Sequence, residues 1–170
     1  MRRHDTQPAR GFTLIEALLA AVVLAMAITA VTMPFTAGAR NELENARRTL
    51  AVALAQEMME EILSKPFADD VQDFARSPGP DAGEGSRTFF DNMDDYDGYE
   101  ELPGSIASHD GQLFTDAAAD GLSRHVSAGY VYVSGQDVSD APSFLRVVVD
   151  VRYRGEPVVT LSRLAYALGQ

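Results

Sequence analysis

Three groups of residues could carry chemistry, and two of them are carboxylates. The densest is Asp91-Asn92-Met93-Asp94-Asp95-Tyr96-Asp97-Gly98-Tyr99-Glu100-Glu101. Carboxylates crowded around a glycine turn are what Ca²⁺, a hard oxygen-seeking cation, requires, so Asp91, Asp94, Asp95 and Asp97 are candidate ligands, with a solvated acidic loop as the competing reading. An EF-hand is excluded: with Gly98 as the loop glycine, Met93 falls where the first ligand belongs and Gly104 where the terminal glutamate belongs. The second group is a single residue, Glu16, four positions into an apolar run that begins at Phe12. A carboxylate inside such a run costs a few kcal/mol unless something pairs with it. The nearest basic residues are Arg10, before the run, and Arg40, at its far end, so the partner is expected from outside the chain's own neighbourhood. The third group is histidine. His109 beside Asp110 reads as a solvated loop pair, and His125 opens a strand. No G-x-S-x-G, phosphate-cradling glycine loop or H-E-x-x-H is present. The chain has no cysteine, which removes thiol catalysis and cysteine-based zinc sites and leaves the redox compartment open.

Charge narrows the partners further. The 170 residues hold 25 Asp and Glu against 14 Lys and Arg, for a net charge of −11. Residues 1–11 carry three arginines against Asp5 and are net +2, which leaves −13 for the rest. Between Pro66 and Asp120 there are 14 acidic residues and only two basic ones, Arg76 and Arg87. Such a surface repels phosphate, so no nucleic-acid partner is expected.

The elements that must position these groups begin with a membrane segment. Residues 17–39 contain no charge, and these 23 positions span about 35 Å as a helix, against ~30 Å of hydrocarbon. Arginine on the N-terminal side places the N-terminus in the cytoplasm and the remainder outside. A secretory signal cut after Ala27 is the competing reading, and Glu16 argues against it. Pro34, near the outer end, removes one helix hydrogen bond and is expected to kink the helix.

The hexapeptide Gly11-Phe12-Thr13-Leu14-Ile15-Glu16, after a short basic leader and before a long apolar helix, is similar to the cleavage and methylation motif of type IV prepilins and type II secretion pseudopilins. The likeness covers residues 1–35 and, more weakly, continues to about Lys65. It implies cleavage after Gly11 by a prepilin peptidase and methylation of Phe12 as the new first residue. The α-amine so created is the partner Glu16 lacks. In the family this carboxylate pairs with the amine of a neighbouring subunit, which would fix the axial register of a filament. The resemblance further implies an inner-membrane assembly platform, membrane lipid and other pilin or pseudopilin subunits as partners, and related helices carry a proline near the position of Pro34. Some pilins and pseudopilins bind calcium through loops of their own.

Residues 39–65 keep a helical period, with Ala39, Leu43, Ala46, Leu50, Leu54, Met58 and Ile62 on one face. Glu44 with Arg48 and Glu61 with Lys65 are spaced as i,i+4 pairs. Pro66 ends the pattern. Residues 66–124 read as an acidic, loop-rich region with one short helix at 112–120. Residues 125–170 read as an antiparallel sheet, with strands at 126–133, 145–153 and 158–166 and a two-residue turn at Gly155-Glu156. The expected fold is therefore α+β: leader 1–11, transmembrane helix 12–38, amphipathic continuation 39–65, then a small antiparallel sheet packed on the helix, as in pilins. The expected function is that of a non-enzymatic structural subunit, a minor pilin or pseudopilin of a type IV pilus or type II secretion system. The rival is a signal-anchored extracytoplasmic binding module that never polymerises.

Overall fold

The computed structural model describes residues 11–67, 77–137 and 142–166. The leader arginines and the acidic residues 69–73 lie outside them. The chain divides into two compact units, Met1–Leu43 and Glu44–Gln170, taken here one at a time. Helix α1 (Leu14–Leu63) contributes to both.

In the first unit residues 11–13 are non-helical and α1 begins at Leu14. All side chains from Gly11 to Leu43 are exposed, and the helix is long and apolar enough to cross a membrane, with mean hydropathy 2.5 in its best window. The helix assignment runs through Pro34 without a break. Thr29, Thr32 and Thr36 fold their hydroxyls back onto carbonyls three or four residues earlier, which satisfies them in an apolar setting.

The second unit is a four-stranded antiparallel sheet covered by the outer part of α1. The strands β1 (Glu100–Glu101), β2 (Leu122–Val131), β3 (Phe144–Tyr153) and β4 (Glu156–Tyr166) lie in sequence order. β3 alternates as expected: Leu145, Val147, Val149 and Val151 are all fully buried, while Arg146 and Arg152 are exposed on the other face. Against this face α1 sets Ala51, Leu54, Ala55, Met58, Met59 and Ile62. The two alanines let the helix backbone approach the sheet. Each fully buried Leu, Ile, Met or Val in this layer contributes roughly 1.5–3 kcal/mol. The expected stripe is correct from Leu50 outward, with Leu50 partly buried against the core. Ala39, Leu43 and Ala46 are exposed, and Ala51, Ala55 and Met59 widen the buried face beside Leu54, Met58 and Ile62.

Three expectations change. The stretch 112–120 forms no helix; it is a β-bridge at Leu113 to Ala107 followed by a turn. Gly121, in the left-handed region at φ 77°, delivers that turn into β2, and a Cβ there would stand 2.9 Å from the Tyr153 ring. The β3–β4 turn is Arg154-Gly155 rather than Gly155-Glu156, because Tyr153 pairs with Glu156. Both turn residues have positive φ, 51° and 89°, so this is the primed turn that matches strand twist. Arg154 tolerates it with its guanidinium 5.1 Å from the Tyr153 ring. Finally, β2 starts at Leu122 and β4 at Glu156, each earlier than its apolar run suggests.

Candidate functional site

The N-terminal segment is built as a helix start. Thr13 is the N-cap: its Oγ1 accepts the Glu16 N–H at 3.4 Å, and the Thr13 N–H points back to Glu16 Oε2 at 3.5 Å. This is a capping box, Thr-x-x-Glu, in relaxed form. Glu16 is the only acidic residue in the first turn, where the helix dipole favours negative charge. The carboxylate thus has a local hydrogen-bonding partner in Thr13, at the i,i+3 spacing of a capping box rather than among the basic residues. Gly11 and Phe12 precede the helix in an exposed, non-helical strip, with Phe12 80% exposed. A peptide bond in such a strip can enter a protease site without unwinding a helix.

In the second unit the polar residues of greatest consequence are buried. Glu61, Arg87, Glu101 and Arg124 alternate in sign along one chain of contacts. Glu61 Oε1 accepts Arg87 Nε at 2.8 Å and the Tyr96 hydroxyl at 2.7 Å, and its other oxygen pairs with Arg87 Nη2. Arg87 Nη1 reaches Glu101 Oε1 at 3.3 Å, and Arg124 Nε donates to Glu101 Oε2 at 2.6 Å. Arg124, fully buried, also donates to the carbonyls of Leu54 and Ala107, both at 2.9 Å. Helix, 3₁₀ turn, β1, β2 and the 105–111 loop are thereby fastened to one neutral network. Glu61 does not pair with Lys65, as its spacing suggested; Lys65 donates instead to the Phe90 carbonyl at 2.8 Å. His109 is held as well: its N–H meets Glu57 Oε1 at 3.0 Å, and its Nδ1 lies 3.2 Å from Glu61. Arg87 was visible in the sequence only as one of two cations in an acidic stretch. Its partner lies 26 residues away, a separation no local pattern reveals.

This network does not provide a base poised near neutral pH. Burial alone would raise the Glu61 pKa, but the Arg87 and Tyr96 hydrogen bonds and the Arg87 charge outweigh it and hold the carboxyl at about 2. Because the folded value lies below the unfolded one, the associated stability is present above about pH 4.5 and is lost as pH falls toward 2. We expect the detergent-extracted chain to melt progressively lower across that window. Glu61→Gln should flatten the acid limb while lowering the melting temperature at neutral pH. An unchanged acid limb in the variant would contradict this.

The acidic stretch sorts its aspartates into separate tasks. Asp95 Oδ2 accepts the N–H groups of Asp91 and Asn92 at 3.0 and 2.9 Å. Asp97 Oδ1 accepts the Ala128 N–H of β2 at 2.8 Å, and Asp94 accepts the Tyr130 hydroxyl. Of the four candidate ligands, Asp91 and Asp95 come together, and Glu84 joins them, with oxygens of all three within 4.8 Å of one another. Burial first, and then the Asp91 and Asp95 charges, push the Glu84 carboxyl upward; burial and the Asp91 charge raise Asp95. His125 lies in β2, opposite Glu100.

Comparison with known proteins speaks to the first unit. The model of the family described as the prokaryotic N-terminal methylation motif matches residues 7–32. No curated protein and no solved structure matches the chain. The matched motif, the apolar helix that follows it and the α+β layout support a type IV pilin-like protein, processed by a prepilin peptidase, with other pilin subunits as partners. The motif points to a structural, non-enzymatic family, and the apolar helix fits a membrane-anchored pilin.

Proposed function

We propose that this chain is a minor pilin or pseudopilin of a type IV pilus or type II secretion system. It is held in the inner membrane with its N-terminus cytoplasmic, cut between Gly11 and Phe12, and drawn into a helical filament by an assembly platform. The observation that carries this reading is Glu16, a carboxylate in the first turn of a helix that is otherwise uncharged as far as Ala39, four residues after the site where cleavage creates an amine. In low dielectric an unpaired charge is costly, so a neighbour's amine at one axial register is favoured over every other.

The capping geometry lets the test separate two roles. Glu16→Gln keeps a capping side chain but loses the charge, whereas Glu16→Leu loses both. Both variants should insert and be cut normally. Both should be depleted from sheared filaments on the order of a hundredfold, as the loss of ~3 kcal/mol from a buried ion pair implies. Wild-type incorporation of Glu16→Gln would remove the charge pairing, and a chain that is cut yet never enters a filament would favour the non-polymerising anchored module.

We also propose Ca²⁺ as a ligand of the acidic stretch, through Asp91 and Asp95 with Glu84 in place of Asp94 and Asp97. A cation there relieves the repulsion among three close carboxylates. Binding only to the folded chain raises stability by about 2.7 kcal/mol at 100 times Kd. The extracted chain should therefore melt higher in millimolar Ca²⁺ than in chelator, and Glu84→Gln with Asp95→Asn should abolish the difference. Equal melting temperatures in both conditions would dispose of the metal.

A further inference from the structure

One concavity in the second unit holds two arginines that form no ion pair among the described residues. It has a volume of about 370 Å³ and is lined by Glu44, Asn45, Arg47 and Arg48 of α1 and by Tyr153, Pro157 and Val158 at the β3–β4 turn. The Arg47 guanidinium lies 3.7 Å over the centre of the Tyr153 ring, which fixes its plane. Its Nε is buried and has no hydrogen-bond acceptor. Among the described residues neither Arg47 nor Arg48 forms an ion pair, and the i,i+4 partner expected for Arg48, Glu44, does not close onto it. An arginine presents five N–H donors in a rigid fork suited to carboxylates. Here that fork is already oriented, so little rotamer entropy remains to be lost on binding.

The same unit displays the complement elsewhere. The 3₁₀ turn Arg87–Phe89 is anchored by Arg87, which reaches inward to Glu61 and Glu101. With that residue directed inward, Phe89 is left 63% exposed. Before it in the sequence stands Glu84 and after it Asp91, two of the three crowded carboxylates. An aromatic ring flanked in sequence by carboxylates suits a cavity lined by Tyr153, Pro157 and Val158 in which two arginines outnumber the single carboxylate of Glu44.

We infer that the Arg47–Arg48 cavity seats the Glu84–Asp91 segment of a second copy of this chain, in the state where that segment holds no cation, so that Ca²⁺ and the arginines compete for the same carboxylates. The two surfaces are different patches, so the contact is head-to-tail and a pair keeps one free patch of each kind, one on each copy. Repeated, such a contact builds a ring where its rotation closes and an open helical array where it does not, and the filament-subunit reading selects the array. The inference rests on the filament-subunit reading, and it gives the outer unit its own part in setting the order of subunits. Opposite charges in a partly desolvated cavity also penalise wrong registers, where arginine would face arginine.

The cysteine-free chain gives a clean background for the test. Full-length Arg48→Cys and Asp91→Cys chains, each with a different epitope tag, are expressed together in the native membrane and treated with a short bis-maleimide. Both positions are exposed, so neither substitution removes a core contact. A heterodimer carrying both tags is expected, and it should be missing when either variant is expressed alone. Adding Arg47→Glu to the first chain should abolish it, and pairing that chain with one carrying Glu84→Arg should bring it back. Filament recovery by shearing is scored in parallel from wild-type cells. Filaments without the heterodimer overturn the interface and leave the filament reading in place. A heterodimer without filaments supports the interface and overturns the filament reading, and absence of both overturns both.

Discussion

Gly11→Val should accumulate as a full-length precursor in the membrane, with no mature form detectable on a gel that resolves the leader. The expected effect is all-or-none, because the peptidase must draw the backbone on either side of the Gly11–Phe12 bond into its site. A β-branched residue there both widens the chain and stiffens its torsions. The chain itself offers no competing explanation for a loss of processing. A Cβ on Gly11 would meet no atom within 4 Å, and Gly11 is not in the left-handed region, so the substitution strains nothing in the substrate. Gly11→Ala, which adds a single unbranched methyl, should be processed in part. Full maturation of Gly11→Val would mean that the cleaving enzyme is of another kind.

Arg124→Ala should be the most destabilising single substitution in the outer unit. Arg124 is fully buried and spends three donors on Glu101 and on the carbonyls of Leu54 and Ala107. Removing it leaves the buried carboxylate of Glu101 with Arg87 at 3.3 Å as its remaining cation. Breaking one partner out of a buried ion pair costs about 3–5 kcal/mol, a large share of the 5–15 kcal/mol that holds a domain folded. Arg124→Lys should fail nearly as badly, since one ammonium cannot span three acceptors set by a planar fork. The double variant Arg124→Met with Glu101→Gln should recover much of the loss by removing both charges together. Thermal melts and protease resistance of the extracted chain measure this, and a fall of less than ~1 kcal/mol for Arg124→Ala would show the network to be peripheral.

The contrast between these two predictions mirrors what could be read from the sequence. The processing segment is local and contiguous, six residues whose meaning depends only on their order and on the apolar run behind them. The strand alternation from Leu145 to Tyr153 and the helical stripe Leu54, Met58 and Ile62 are likewise local periodicities, and both are where they were expected. The buried charge chain is the opposite case. Glu61 sits on the helix with Lys65 at a favourable spacing, yet it pairs with Arg87, because closing the 3₁₀ turn against the helix brings a bidentate guanidinium to it while Lys65 finds a carbonyl. Arg124, alternating with His125 at the start of β2, has the period of a core-facing residue, but its charge concealed that. The turn at Arg154-Gly155 slipped by one residue for a related reason: glycine was placed first in the turn, whereas strand register put it second and left an arginine at positive φ. The aspartates of the acidic stretch looked like one group because they are close in sequence. Folding separates them by giving Asp94, Asp95 and Asp97 different hydrogen-bond donors.

The central claim, that this chain is a processed type IV pilin-like subunit, is tested most directly by the N-terminal residue of the protein extracted from its native membrane. Edman sequencing with mass spectrometry of the N-terminal peptide should find N-methylated Phe12, followed by Thr13, Leu14 and Ile15. An N-terminus at Met1, or one created by cleavage after Ala27, would contradict it.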